Sequence, residues 1–334
     1  MKFKSIFILS LLICLSLATL AAFTSCGESI TEGLRYELND DGESYAVVDK
    51  GDAEGERIII PSSYEGKPVT RIAKNAFSFR DFEYVKIPDS VKIIEAEAFS
   101  FNDDLEQVVF GNGVEFIGDC AFQSTQVKQI TIPASVNKLG VGIFKFCHQL
   151  EEIKVEGGNE VFDSRNDCNA IVETATNTLR EACVNTVIPN DIEAIGDFAF
   201  ADRRGDALGT ITIPDSVITI GNNAFSGCYD TSRFVIGNSV KTIGDNAFQS
   251  CEMVVELVLP DSVQTIGFAA FRDCESLDSI VIGTAVEYIG QIAFLGVGQQ
   301  IEVRYRGTEE QWKQIELDGN AGFGYKIMVY NYEG

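Results

Sequence analysis

The feature that most constrains this chain is an internal repeat of about 23 residues, marked by a recurring Ala-Phe pair. A period of this length is typical of a solenoid, in which each unit is one coil and buries its apolar side chains only against neighbouring coils. The chain is therefore expected to be a rod and not a globule. The repeat phenylalanines stand at positions 77, 99, 122, 144, 200, 225, 248, 271 and 294.

Spacing within one unit predicts how a coil is built. Ile280 and Ile282 alternate as in a short strand that sends every second side chain into a core. Val286 and Ile289 form a second inward pair, and Phe294 closes the coil from the opposite side. Stacking such coils about 4.8 Å apart predicts a curved rod of some ten coils, with short parallel strands and otherwise irregular backbone.

The consensus of the units reads Leu-x-x-Ile-x-Ile-Pro-x-Ser-Val-x-x-Ile-Gly-x-x-Ala-Phe-x-x-Cys, over about residues 58–307. This pattern resembles the leucine-rich repeats of BspA-like bacterial surface lipoproteins. The resemblance implies a leucine-rich-repeat solenoid, exposure at the cell surface and adhesion to host or neighbouring-cell proteins. It does not imply any particular ligand.

The first 25 residues have the order of an export signal. Lys2 and Lys4 precede an apolar run over residues 6–23, which is followed by Ser25 and Cys26. A cysteine directly after a small residue resembles a lipoprotein signal, and this resemblance implies that the sulfur of Cys26 carries the lipid. An ordinary cleaved signal is the alternative. We expect an exported chain held at the outer membrane or cell surface by its lipid anchor only.

Atypical segments interrupt or flank the repeat. Residues 26–57 are expected to hold the anchor and an N-terminal cap, whose β-hairpin runs from Leu34 to Asp49. Residues 157–187 predict a divergent, hairpin-like unit inside the rod. Residues 308–334 predict a C-terminal cap with a helix that begins near Thr308 and carries a buried Trp312, after a last strand at residues 301–305.

Composition limits the classes of partner. The formal net charge of −24 repels phosphate backbones and anionic headgroups, which argues against nucleic acid as a ligand. Exposed aromatic residues would favour glycans, but nearly all phenylalanines occupy core positions of the repeat. An extracellular or host protein is therefore the expected partner, and a glycan stays possible.

Four cysteines follow a repeat phenylalanine by three residues, at the position that Asn102 occupies in an earlier coil: Cys147, Cys228, Cys251 and Cys274. A position fixed by the repeat predicts buried thiols that donate hydrogen bonds to the turn backbone. Disulfides between adjacent coils remain open as an alternative. No Cys-x-x-Cys pair occurs, so neither a metal site nor a cofactor is expected.

Catalytic motifs are not found in the sequence. The single histidine, His148, lies in a repeat turn next to Cys147, and no nucleophile elbow, phosphate loop or metal-binding histidine pair is present. We therefore expect no catalytic residues and no enzyme activity.

The strand residues that alternate with the buried positions should face outward in register. In three successive C-terminal coils these residues are Arg233 and Val235, Glu256 and Val258, and Ser279 and Val281. The three valines predict an apolar track flanked by charges, which suits a protein ligand. The alternative is that valine merely favours strands. The stripe of the N-terminal coils is more polar.

A more speculative adhesion motif is Arg204-Gly205-Asp206, which lies in the one coil lengthened to 25 residues. Two classes of function remain after these exclusions. A surface lipoprotein that binds or adheres to a protein through its repeat face is favoured. A glycan-binding protein or envelope scaffold is the alternative.

Overall fold

The computed structural model describes residues 29–203, 209–298 and 300–333. These residues form a β-solenoid of about twelve turns with parallel strands and almost no helix. The number of turns exceeds the ten expected, because the divergent unit and both caps contribute turns that join the strand ladders. Each turn adds one rung to two ladders on different sides of the rod.

The first ladder consists of the longer strands and its outward side is called the strand face. Its members pair in parallel between neighbouring coils. The strands are β3 (Arg57–Ile59), β6 (Tyr84–Lys86), β8 (Gln107–Val109), β10 (Gln129–Ile132), β12 (Glu152–Val155), β17 (Thr210–Ile213), β19 (Arg233–Ile236), β21 (Glu256–Val258), β23 (Ser279–Ile282), β25 (Gln300–Tyr305) and β27 (Tyr325–Val329).

The second ladder is built mostly from two-residue strands and falls into two sheets. The first contains β1 (Arg35–Leu38), β2 (Tyr45–Asp49), β4 (Ser63–Tyr64), β5 (Lys67–Ile72), β7 (Ile93–Ile94), β9 (Phe116–Ile117) and β11 (Lys138–Leu139). The second contains β13 (Phe162–Asp163), β14 (Ala170–Glu173), β15 (Thr178–Ala182), β16 (Ala194–Ile195), β18 (Thr219–Ile220), β20 (Thr242–Ile243), β22 (Thr265–Ile266), β24 (Tyr288–Ile289) and β26 (Glu316–Leu317).

One phenylalanine per coil forms a column through the core. The nine repeat rings are at most 1% exposed, and neighbouring rings stack nearly parallel with centroids 4.9 to 5.8 Å apart. The column is interrupted only between Phe144 and Phe200, where the divergent unit is inserted. A Phe-to-Ala change within the column would cost about 3–5 kcal/mol, since it removes a buried ring with neighbours on both faces.

Next to this column runs a ladder of buried donors. The thiols of Cys147, Cys228, Cys251 and Cys274 each donate to a phenylalanine carbonyl of the preceding coil, with Sγ to oxygen distances of 3.0, 3.3, 3.3 and 3.1 Å. The amide of Asn102 does the same toward Phe77 at 2.8 Å. All seven described cysteines are free thiols. The carbonyls of Phe200, Phe225 and Phe248 already accept from a backbone N–H of their own turn, so the side chain at this position adds a second donor from the next coil.

Thiol labelling should distinguish these cysteines by their burial. Burial raises the pKa of Cys228 to about 12 and holds that of Cys251 far above its usual range, so almost no thiolate is present at neutral pH. Of the seven cysteines in the described part of the native chain, only Cys120, which is half-buried, should react readily. Denaturation should make the six buried thiols reactive. Failure to find free thiols in the unfolded, unreduced chain would contradict this arrangement.

The N-terminal cap is a hairpin, as predicted. Strands β1 and β2 pair antiparallel, and β2 then pairs in parallel with β5, so that the hairpin joins the second ladder. At its tip, Asp41 accepts hydrogen bonds from the backbone N–H groups of Glu43 and Ser44. The cap therefore covers the first coil with strands whose backbone groups are hydrogen-bonded to each other and to β5.

The C-terminal cap differs in one respect from the expectation. The helix α1 (Glu309–Trp312) begins after Thr308, which forms a capping box with Gln311, and Trp312 is buried against the ring of Tyr305. Strand β25 is not the last strand, since β26 and β27 add one further rung to each ladder. The short apolar stretch at 325–329 lacks the repeat consensus and was therefore missed.

The divergent unit contains two antiparallel pairs, β13 with β14 and β14 with β15. It brings Glu181 beside Arg203, and both are fully buried with a closest N–O distance of 3.9 Å. Arg203 follows Phe200 by three residues and therefore occupies the cysteine position. Its Nη1 donates to the carbonyl of Phe144 at 2.8 Å. The long side chain thus makes the ladder contact across the interruption, where a cysteine is too short.

Burial gives this pair a pH dependence. Removal from water raises the pKa of Glu181 from 4.5 to about 7, despite the attraction of Arg203. The folded chain therefore holds a proton that the unfolded chain releases above pH 4.5. Stability from this group should be greatest below that pH and should fall by about 3 kcal/mol as pH rises to 7.

Denaturant unfolding at pH 5 and pH 8 tests this expectation. Glu181→Gln keeps an acceptor for the N–H of Ile143 but cannot ionise, so it should be about as stable as the unmodified chain at pH 5 and should lose this downward slope. Glu173→Gln is the control, because Glu173 belongs to the same hairpin and pairs with a half-buried Arg180. An unchanged slope in Glu181→Gln would show that Glu181 does not titrate in this range.

Candidate functional site

The strand face of the C-terminal coils presents the residues predicted from alternation. Arg233, Val235, Glu256 and Val258 are exposed, with Val235 at 40% and Val258 at 44%, while Ser279 is half-buried. The intervening strand residues are buried in the core. Within the described part of the chain Arg233 makes no ion pair, so its charge is available to a ligand.

A groove of about 540 Å³ opens between β19 and β21. Among the described residues no backbone hydrogen bond joins these two strands, although each pairs with its other neighbour. Backbone donors and acceptors therefore line the groove beside Val235 and Val258. Such groups need water or a ligand as a partner. The groove thus combines an apolar floor with polar groups that can fix the orientation of a bound segment.

The expectation that Val281 is exposed is wrong, since it is only 2% accessible. Its register partner on β25 is Arg304, whose Nη1 reaches Glu256 on β21 at 2.9 Å. To make this contact the arginine side chain passes over β23 and covers Val281. The apolar track therefore ends at Val258. Alternation correctly placed Val281 on the outer side of the sheet, but it could not show that a cap residue lies above it.

Two exposed residues that sequence reasoning missed extend the track in another direction. Met253 and Val255 are each 52% exposed and lead directly into β21. The equivalent positions of the neighbouring coils hold polar residues, for example Ser232 and Asp278 in place of Val255. A register comparison restricted to the residues before each strand would have found them.

The strand face of the N-terminal coils differs in character. A groove of about 720 Å³ lies there, between β8 and β10, and its rim carries the carboxylates of Glu83 and Glu106. Glu106 pairs with Lys128 at 3.3 Å. Tyr84 is buried, since the guanidinium of Arg57 lies 3.7 Å from its ring centroid. This half offers less apolar surface than the C-terminal half.

No described group is arranged for catalysis or metal binding. Among residues 29–203, 209–298 and 300–333 there is no cluster of three potential metal ligands. Glu181 has a raised pKa, but it is 1% exposed and no substrate could reach it. His148 lies 6.3 Å from the ring of Phe146, in the turn where the repeat places it.

Two predicted sites lie outside the described residues. They are Cys26, the expected lipidation site, and the tripeptide Arg204-Gly205-Asp206. Within the described part of the chain, no helix has the length and apolar character needed to cross a membrane.

The fold and surface define the chain as a leucine-rich-repeat solenoid, a non-enzymatic scaffold type that generally serves protein interaction. The BspA-type leucine-rich-repeat family matches it in six copies over residues 70–178 and 180–299. The chain therefore belongs to this family, as the repeat pattern predicted. No characterised protein sequence matches it significantly.

Several solved structures share the fold. A leucine-rich cell surface protein from Faecalibacterium prausnitzii is 21% identical, with a TM-score of 0.59, and the match covers 86% of this chain and 98% of the other. The pneumococcal vaccine antigen PcpA is 19% identical, with a TM-score of 0.66, and the match covers 90% of this chain and 98% of the antigen. A leucine-rich-repeat protein from Eubacterium ventriosum is 18% identical, with a TM-score of 0.62, and the match covers 91% of this chain and 95% of the other. At these identities the likeness concerns the fold alone.

Proposed function

We propose that this chain is an exported, lipid-anchored surface protein that binds a protein ligand through the strand face of its C-terminal coils. The groove between β19 and β21 is the observation that carries the proposal. Val235, Val255 and Val258 give it an apolar centre, and Arg233 adds a positive charge at its edge. A desolvated centre with a polar rim is the arrangement that protein interfaces use.

The apolar residues of this surface have no role in the core. Val255 and Met253 replace polar residues of the neighbouring coils at exposed positions, where a strand or turn preference does not require them. Backbone groups of β19 and β21 are also left without each other as partners, as they are between β8 and β10 at the N-terminal groove. An extended segment of a ligand could satisfy these groups. Adhesion to a host or neighbouring-cell protein follows if the anchor holds the rod at the surface.

The tripeptide Arg204-Gly205-Asp206 remains a separate and more speculative adhesion proposal. It would act on integrin-type receptors, and Asp206→Glu would remove cell attachment if it does.

Val258→Asp tests the groove. The side chain is 44% exposed, so the fold should be retained, whereas an unpaired carboxylate at an apolar contact should weaken ligand binding by about tenfold or more. The ligand is first captured by the full chain from surface-protein extracts and identified, and its Kd is then measured. Thr131→Asp is the matched control at the equivalent outward position of β10. Equal affinity of both variants and the unmodified chain would place the ligand elsewhere.

Cys26→Ala tests the anchor. Without the sulfur no lipid can be attached, so the chain should leave the membrane fraction or remain an unprocessed precursor. Metabolic labelling with a fatty acid, followed by membrane fractionation, provides the measurement. A processed Cys26→Ala chain that stays with the membrane would end the lipoprotein proposal and would leave the groove proposal intact.

A further inference from the structure

A second row of residues runs along the turns of the rod, away from the strand face. The residue two positions after each repeat phenylalanine has a positive φ between 53° and 78°. The C-terminal coils fill this position with residues that tolerate a left-handed backbone. They are Asp202, Gly227, Ser250, Asp273 and Gly296.

The N-terminal coils use phenylalanine at the same position. Phe79, Phe101 and Phe146 have φ values of 55°, 56° and 61°, in a region that is unfavourable for bulky side chains. Phe79 is 70% and Phe101 is 36% exposed, contrary to the expectation that the phenylalanines are in the core. Backbone strain and exposed aromatic surface both reduce stability, and neither is needed by the turn. Such strain is characteristic of functional positions.

These residues stand on successive rungs. The backbone N–H of Phe79 donates to the carbonyl of Ser100, the residue before Phe101. The N–H of Phe101 donates in the same way to the carbonyl of Gln123, the residue before Ser124. The rings of Phe79 and Phe101 stack with centroids 4.6 Å apart and planes 6° from parallel. Ser124 follows on the third rung and Phe146 on the fourth. The row therefore lacks one ring, at Ser124.

The small side chain of Ser124 stands on the rung between Phe101 and Phe146, and we call the space above it the slot. Two rungs span about 10 Å, so a ring above Ser124 would lie about 5 Å from each phenylalanine. This is within the separation at which rings stack, and close to that of Phe79 and Phe101. Lys145 packs its ammonium 4.7 Å from the ring of Phe146 and 4.8 Å from that of Phe198, which belongs to the following coil. Lys145 therefore contacts both Phe146 and the ring of the following coil.

We propose that this slot binds a pyranose ring of an uncharged glycan. A sugar ring can stack its C–H faces on both phenylalanines and present its hydroxyl groups to the polar residues around the slot. Asp103 and Asp104 follow Phe101 closely and are exposed, and Ser124 supplies a hydroxyl on the rung between the two phenylalanines. A protein surface pressed over the slot would desolvate these carboxylates, whereas a glycan leaves them hydrated. The net charge of −24 disfavours an acidic glycan.

Affinity electrophoresis of the full chain tests this proposal in gels that contain amylopectin, a mixed-linkage β-glucan, an α-mannan or glycol chitin. At least one polysaccharide should retard the unmodified chain. Ser124→Phe should remain folded, because neighbouring rungs carry phenylalanine, and should fill the slot. Phe146→Ser removes one wall and uses a residue that other coils accept. Both variants should bind about five- to tenfold more weakly.

Phe79→Ser is the matched control, since it removes an exposed, strained phenylalanine outside the slot and should bind as the unmodified chain does. Retardation by none of the four polysaccharides, or equal retardation of Ser124→Phe, would overturn the proposal. Loss of protein-ligand capture in Ser124→Phe, without polysaccharide binding, would assign the slot to an aromatic side chain of a partner protein. The groove variant Val258→Asp should not change polysaccharide binding, so the two proposals fail independently.

Discussion

Face-to-face packing of one phenylalanine per coil is the interaction on which the rod depends. Each ring inside the column has another ring on either face, at about 5 Å. The backbone follows the same rule, because the N–H of Phe248 donates to the carbonyl of Ala270 in the next coil. No coil can satisfy its core or its backbone alone, so stability is a sum of contacts between neighbours.

The divergent unit is the place where this regular stacking is interrupted. The ring column stops at Phe144 and resumes at Phe200, and the carbonyl of Phe144, which accepts from the N–H of Cys147, takes a second donor from the next regular coil. Arg203 supplies it from the cysteine position of the next regular coil, and Glu181 provides the opposite charge. A buried ion pair costs desolvation energy that a cysteine would not. The insertion therefore adds a buried polar contact to the apolar core that it shares with the rest of the rod.

A repeat of this kind separates the core from the surface at every rung. Buried positions are fixed by the neighbouring coils, while outward positions can change without disturbing the packing. The two halves of the rod have used this freedom differently. The C-terminal half places Val235, Val255 and Val258 on the strand face, and the N-terminal half places Phe79 and Phe101 on the turns. The two proposed binding surfaces therefore lie on different sides of one scaffold.

The sequence by itself determined the fold, the register of the core and the buried donor ladder. These properties are local and recur every 23 residues, so a shared position such as that of Cys251 reveals its environment. It also predicted which side of each strand faces outward. Only the tertiary structure decided which outward residues are accessible, since Arg304 reaches across β23 to Glu256, two coils away, and thereby covers Val281. Likewise, the contact of Arg203 with Phe144 joins residues 59 positions apart. A repeat fixes each residue's neighbours in the adjacent coils, whereas long side chains and caps reach beyond those neighbours, and periodicity contains no information about such contacts.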